Sequence, residues 1–161
     1  MKHLTKYLIT FRIVVIAGCS TETSPNKEGE PRAILIEGSG SYSREISTKV
    51  KNSQTFFDQG LRFAWGFYFP ESIASYQEAA RLDPSHPMPY WGMAHAMGPN
   101  PNSRYARMPD DPKGEGLKAI KMALEKIENA NSLEKRLIKA MHIFYDKKSI
   151  SDPNLRDKAY L

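Results

Sequence analysis

The stretch from Gln54 to Pro84 places apolar residues at helical spacing twice, and a proline stands at each interruption. Phe56, Phe57, Gly60, Leu61, Phe63 and Ala64 mark one amphipathic segment, because positions three and four apart share a side of a 3.6-residue helix. The period breaks at Phe69-Pro70, where proline suits the first turn of a new helix and has no N–H to lose there. The next segment puts Ile73, Tyr76, Ala79 and Ala80 on one side. It stops at Leu82-Asp83-Pro84, since proline cannot continue a helix. Short helices that are apolar on one side only must bury those sides against other helices.

The pattern returns 34 residues on, where Tyr90, Met93, Ala94 and Met97 repeat the spacing of Phe56, Gln59, Gly60 and Phe63. The segment that should answer it is delayed by an insert over about 98–112, rich in proline, asparagine and aspartate. Leu117, Ile120, Leu124 and Ile127 then form a helix, with Ala119 and Ala123 as close-packing positions. Asn131 or Ser132 is placed to cap a further helix that buries Leu133, Leu137, Ala140, Met141 and Phe144. A last helical start follows Asp152-Pro153.

These residues resemble the tetratricopeptide repeat, a 34-residue helix–turn–helix unit with the pattern W-x2-L-G-x2-Y, then A-x3-F, then P. Phe56, Gln59, Gly60 and Phe63 fall on the first part, Ser72 and Tyr76 on the second, and Pro84 closes the unit, with Tyr90 and Ala94 opening the next. The logic is steric: two helices cross closely where Gly60 faces Ser72, and large side chains fill the space around them. Phe57-Asp58-Gln59-Gly60-Leu61, Ala80-Arg81-Leu82-Asp83-Pro84, Tyr90-Trp91-Gly92-Met93-Ala94 and Gly98-Pro99-Asn100 are also similar to wording in bacterial exported proteins of this family. The resemblance implies an all-α solenoid over 52–161, with two units and part of a third. Such arrays end in a capping helix, and none is evident, so a piece of a longer solenoid is expected; the alternative is a short protein with a frayed end. No established reaction comes with the resemblance. In the family the first helix of each unit faces a concave groove, which puts Gln54, Phe57, Leu61, Trp65, Met88, Trp91 and His95 on a partner-binding side. The alternative is that the chain's own Ala33–Ile36 segment, or further repeats, covers them. The Lys and Asn pattern with which some relatives clamp a terminal carboxylate is missing.

Upstream, Lys2 and Lys6 precede apolar runs at 8–11 and 13–17, and small residues lead to the single cysteine. Ile16-Ala17-Gly18-Cys19 resembles the lipobox of bacterial lipoproteins, which implies cleavage after residue 18 and a lipid on Cys19. Residues 19–51 then form the lipidated start and a flexible tether, in which Ala33–Ile36 is either a short strand or an arm packed on the domain. Ser20 favours the outer membrane in a Gram-negative cell by the same resemblance. Arg12 interrupts the apolar region, and if it defeats export the chain is cytoplasmic. The expected address is a periplasm-facing surface with the acyl chains as the only anchor, because no later run approaches a membrane span.

The sequence pI of about 9.3 invites a nucleic-acid reading. Removing Lys2, Lys6 and Arg12 with the signal leaves 20 basic against 18 acidic side chains. The basic residues after Pro112 alternate with Glu125, Glu128 and Glu134, as on a solvated helical face, so no nucleic-acid partner is expected. One cysteine excludes an internal disulfide and a cysteine zinc site, and His86, His95 and His142 show no metal-ligand spacing. No phosphate loop, dinucleotide fingerprint or nucleophile elbow is present. Neither cofactor, metal nor catalytic residue is therefore expected. The reading is a non-catalytic scaffold for an unidentified protein or peptide; the alternative is an accessory domain of an envelope enzyme.

Overall fold

The computed structural model describes residues 29–98, 108–148 and 150–160. Among them are six α-helices and no strand: α1 Lys51–Trp65, α2 Phe69–Leu82, α3 Met88–Met97, α4 Pro112–Glu125, α5 Ser132–Tyr145 and α6 Pro153–Tyr160. Cys19, the segment expected to be a signal and most of the expected insert lie outside the described residues. Each helix packs on its neighbour in sequence across the α1–α2, α2–α3, α3–α4, α4–α5 and α5–α6 junctions. In addition α3 reaches back to α1, and α5 to α3.

Local chemistry sets most of the boundaries. Prolines stand in the first turns of α2, α3 and α4. The Asp111 carboxylate caps α4 by accepting from Gly114 N–H at 2.9 Å. The α5 start is a capping box, in which Asn131 accepts from Glu134 N–H at 3.0 Å and Glu134 accepts from Asn131 N–H at 2.8 Å. The end of α1 departs from the rule. Tyr68 N–H reaches Phe63 O at 2.9 Å and Phe67 N–H reaches Ala64 O at 3.2 Å, the two bonds of a Schellman turn. Its left-handed position, at φ 63°, is filled by Phe67, with Gly66 one residue too early. A side chain in that conformation costs roughly 1–2 kcal/mol.

The core is organised around one ring. Tyr76 of α2 is fully buried and lies between Gly60 of α1 and Gly92 of α3. A Cβ at Gly60 would come within 2.6 Å of that ring, and one at Gly92 within 2.5 Å. Phe57 packs on it at 5.5 Å between centroids. Ser72 Oγ donates to Gly60 O at 2.8 Å, so the two small residues do meet where α1 and α2 cross. Tyr145 of α5 plays a similar part further along: its hydroxyl donates to Ala94 O at 2.7 Å, close to Gly98 and Gly116.

One core expectation is corrected. Leu133 is exposed, because α5 turns Glu134, Ile138, Met141 and Tyr145 inward instead. Replacing Gly92 by Ala drives a methyl group into the Tyr76 ring, which has helices on both sides. Overpacking of this kind costs about 1–3 kcal/mol. Urea unfolding of Gly92→Ala should show that loss, and an unchanged midpoint would contradict the close packing.

Candidate functional site: an extended arm held by α1 and α2

The segment that precedes α1 is bound to the helices, chiefly through its backbone. Gln59 is buried, and its Oε1 accepts from Ile36 N–H at 2.8 Å while its Nε2 donates to Ile34 O at 2.9 Å. Gln54 repeats the arrangement ten residues along the arm, accepting from Ile46 N–H at 2.8 Å and donating to Arg44 O at 2.9 Å. A carboxamide has one acceptor and one donor side by side, which match the C=O of residue n and the N–H of residue n+2 on an extended chain. Both carboxamides are also pinned from behind: Gln59 Nε2 donates to Ser75 Oγ at 3.1 Å, and Gln54 Nε2 to Asp58 Oδ1 at 2.9 Å.

Charged side chains complete the grip. Asp58 accepts from Ser43 Oγ at 2.7 Å and Arg44 N–H at 3.0 Å. Glu78 accepts from Arg32 N–H at 2.7 Å and is paired with Arg81 at 2.6 Å. Arg62 donates to Tyr42 O at 2.9 Å and to Ser39 Oγ at 3.3 Å. The side chains of Ile34, Leu35 and Ile36 meanwhile face solvent. The helices thus read the backbone of this stretch and hardly its sequence. From Arg32 onward the segment expected as a free tether lies on the domain, without forming a strand.

The arm ends at a junction that sequence spacing did not reveal. Ser47 donates its N–H to Glu134 Oε1 at 2.7 Å and its hydroxyl to Glu134 Oε2 at 2.5 Å. His86 Nε2 lies 3.0 Å from Ser47 Oγ. The three residue types are those of a hydrolytic triad, but the protons run the wrong way. His86 Nδ1 accepts from Met88 N–H at 3.3 Å, so Nε2 carries the ring proton and donates to Ser47. The imidazole cannot accept the serine proton, and Glu134 is occupied by three donors. Beside this cluster Asp83 accepts from Thr48 Oγ1 at 2.6 Å and Ser85 Oγ at 2.7 Å. The junction ties the arm to the α2–α3 turn and to α5. Among the described residues no cluster of His, Cys, Asp or Glu is placed to hold a metal ion.

The seven residues expected on one groove wall are divided. Phe57, Leu61, Met88 and Trp91 are in the core, with Trp91 Nε1 donating to Leu137 O at 3.2 Å. His95 is half-buried and stacked on Trp91 at 5.2 Å. Gln54 grips the arm, and Trp65 stands exposed at the end of α1 beside Tyr42. Helical spacing finds the buried side of α1 and α3. It does not tell that Asp58, Gln59 and Arg62, the polar residues between, hold the arm.

Burial pushes His86 below its ordinary value, against the opposing pull of Glu134 and Asp83, and burial alone does the same to His95. The unfolded chain therefore binds more protons than the folded one as pH falls through about 6.5, and stability is lost there. Glu78 is held below the usual carboxylate range, chiefly by its hydrogen bond from Arg81. At Asp83, burial pushes upward and is outweighed by the hydrogen bonds from Thr48 and Ser85. Both add a second loss at more acid pH. The melting temperature should be level above pH 7, fall toward pH 5.5 and fall again below pH 4.5; a flat profile from pH 7.5 to 5.5 would contradict the buried neutral imidazoles.

No family model, curated protein or solved structure matches this chain.

Proposed function

We propose that the protein is a non-catalytic scaffold of tetratricopeptide type that binds extended polypeptide segments, held at the bacterial cell envelope by a lipid on Cys19. The 34-residue spacing of Gly60 and Ala94, and helix pairs packed in sequence order with α3 also touching α1, support the repeat reading. The observation that carries the binding reading is the pair of pinned carboxamides, Gln54 and Gln59, each joined to a backbone C=O and the N–H two residues on. The arm is the occupant in this structure, and its bonds define the ligand class: an extended chain recognised by its main chain.

A labelled peptide with the sequence of residues 31–47 tests this. It should bind saturably to an Ile46→Asp chain, whose own arm is loosened, and poorly to the parent. Adding Gln54→Ala and Gln59→Ala removes four hydrogen bonds and should weaken binding by about tenfold or more. Equal binding with and without the carboxamides would overturn the reading. The anchor is tested separately with radiolabelled palmitate, whose incorporation should vanish in Cys19→Ala; label that survives the substitution would sink it.

A further inference from the structure

Eleven large apolar side chains are exposed among the described residues, and seven of them belong to the arm and the α1–α2 turn. Ile34, at 74% exposure, stands with Leu35 and Ile36 on the outward side of the arm. Trp65 is 68% exposed at the end of α1 and shares an open cleft with Tyr42 and Arg62. Phe67 and Tyr68 are exposed in the turn that follows. Both stretches are tied to α1. Gln59 holds Ile36, and one turn further on Phe63 packs against Tyr68 at 6.3 Å.

Phe67 sharpens the point. The left-handed position of a Schellman turn suits glycine, and the chain fills it with a large apolar residue that is 57% exposed. Glycine would relieve the backbone, and the contact that the ring makes in return, edge-on to Phe69 at 6.2 Å, still leaves most of the residue in solvent. A strained backbone position filled by a largely exposed aromatic residue points to a use outside the fold.

We propose that this end of the molecule is a membrane-docking face, which lays Ile34–Ile36, Trp65, Phe67 and Tyr68 into the interfacial layer of a lipid bilayer. The proposal rests on the lipid-anchored reading, and it adds a second contact beside the acyl chains. The side chains emerge from a helix end, a turn and an extended arm, and a fluid surface accepts them without a matching pocket. Tryptophan and tyrosine settle at the headgroup level of bilayers. Arg62 has no carboxylate in ion-pair distance among the described residues, and it lies beside Trp65, where an anionic headgroup can meet it. Gly29 is ten residue steps from Cys19, a reach of at most ~36 Å. A lipid on Cys19 therefore keeps this face near the bilayer at high effective concentration.

The two tryptophans make the test direct, since Trp91 is buried and Trp65 is not. The full chain is bound to vesicles of phosphatidylethanolamine and phosphatidylglycerol, with and without brominated acyl chains, and Trp65→Phe supplies the Trp91 background. Brominated lipid should quench Trp65 and leave Trp91 unchanged. Phe67→Gly should raise the melting temperature by roughly 2–6 °C and reduce the quenching of Trp65 by about twofold or more. Leu35→Asp should reduce the quenching without that stabilisation. Trp65 left unquenched and open to iodide on vesicle-bound protein would overturn the proposal, as would quenching unaffected by Phe67→Gly and Leu35→Asp. Palmitate labelling reads the anchor independently. A labelled chain with unquenched Trp65 overturns the docking face alone; an unlabelled chain with quenched Trp65 overturns the anchor alone.

Discussion

The ring of Tyr76, pressed between Gly60 and Gly92, is the contact on which the rest of the molecule depends. Three helices meet on one side chain, and two glycines let them approach it. The consequence reaches the surface through chain neighbours. Gln59 precedes Gly60 and Ser75 precedes Tyr76, so fixing the glycine–tyrosine contact also fixes the carboxamide and the hydroxyl that orients it. The grip on the arm is thus an outer layer of the same crossing that makes the core. Close-packed interiors transmit small displacements instead of absorbing them. A methyl group at Gly60 would shift the crossing and the clamp together.

The arm shows how polar side chains hold an irregular segment without a sheet. Backbone groups that leave water need partners, and here α1 and α2 supply them from glutamine, aspartate and glutamate. Each such bond adds about 0.5–1.5 kcal/mol net, so the hold is distributed. Only Ile46 of the arm is a buried large apolar residue, and it lies near the end tied down by Ser47 and Thr48. The stretch 32–36 depends on hydrogen bonds to its backbone. It is therefore the part that another extended chain can replace.

Much of the fold was legible in the sequence because prolines and apolar spacing mark helices directly. The expected breaks at Phe69-Pro70 and Leu82-Asp83 are the α2 boundaries, and the Asn131 cap is present. Leu133 was misplaced because α5 admits two faces with similar spacing, and the capping carboxylate Glu134 takes the inward one to reach Ser47. The site was hardly legible. Side-chain hydrogen bonds to a backbone leave no periodic trace: Gln54 was expected on a groove for a partner and Gln59 in place of the repeat's leucine, and nothing in their spacing marks either as a clamp on the chain's own arm. The Ser47–His86–Glu134 junction joins positions 87 residues apart, with no short motif to mark it. Trp65 was expected on the same groove side as Phe57 and Leu61, and of these three it alone stands in solvent, at the last turn of α1. Phase alone does not show how far along a helix the burial extends.

Amide hydrogen exchange, residue by residue, tests most directly whether α1 and α2 hold the arm by its main chain. The amides of Arg32, Ile36, Arg44, Ile46 and Ser47 are bonded to side chains of the helices. Those of Ala33, Leu35 and Glu37 carry no hydrogen bond among the described residues. Exchange should therefore alternate along the arm, slow at the bonded positions and near the open-peptide rate between them. Uniform fast exchange from Arg32 to Ser47, with the helices still protected, would show that the clamp does not form.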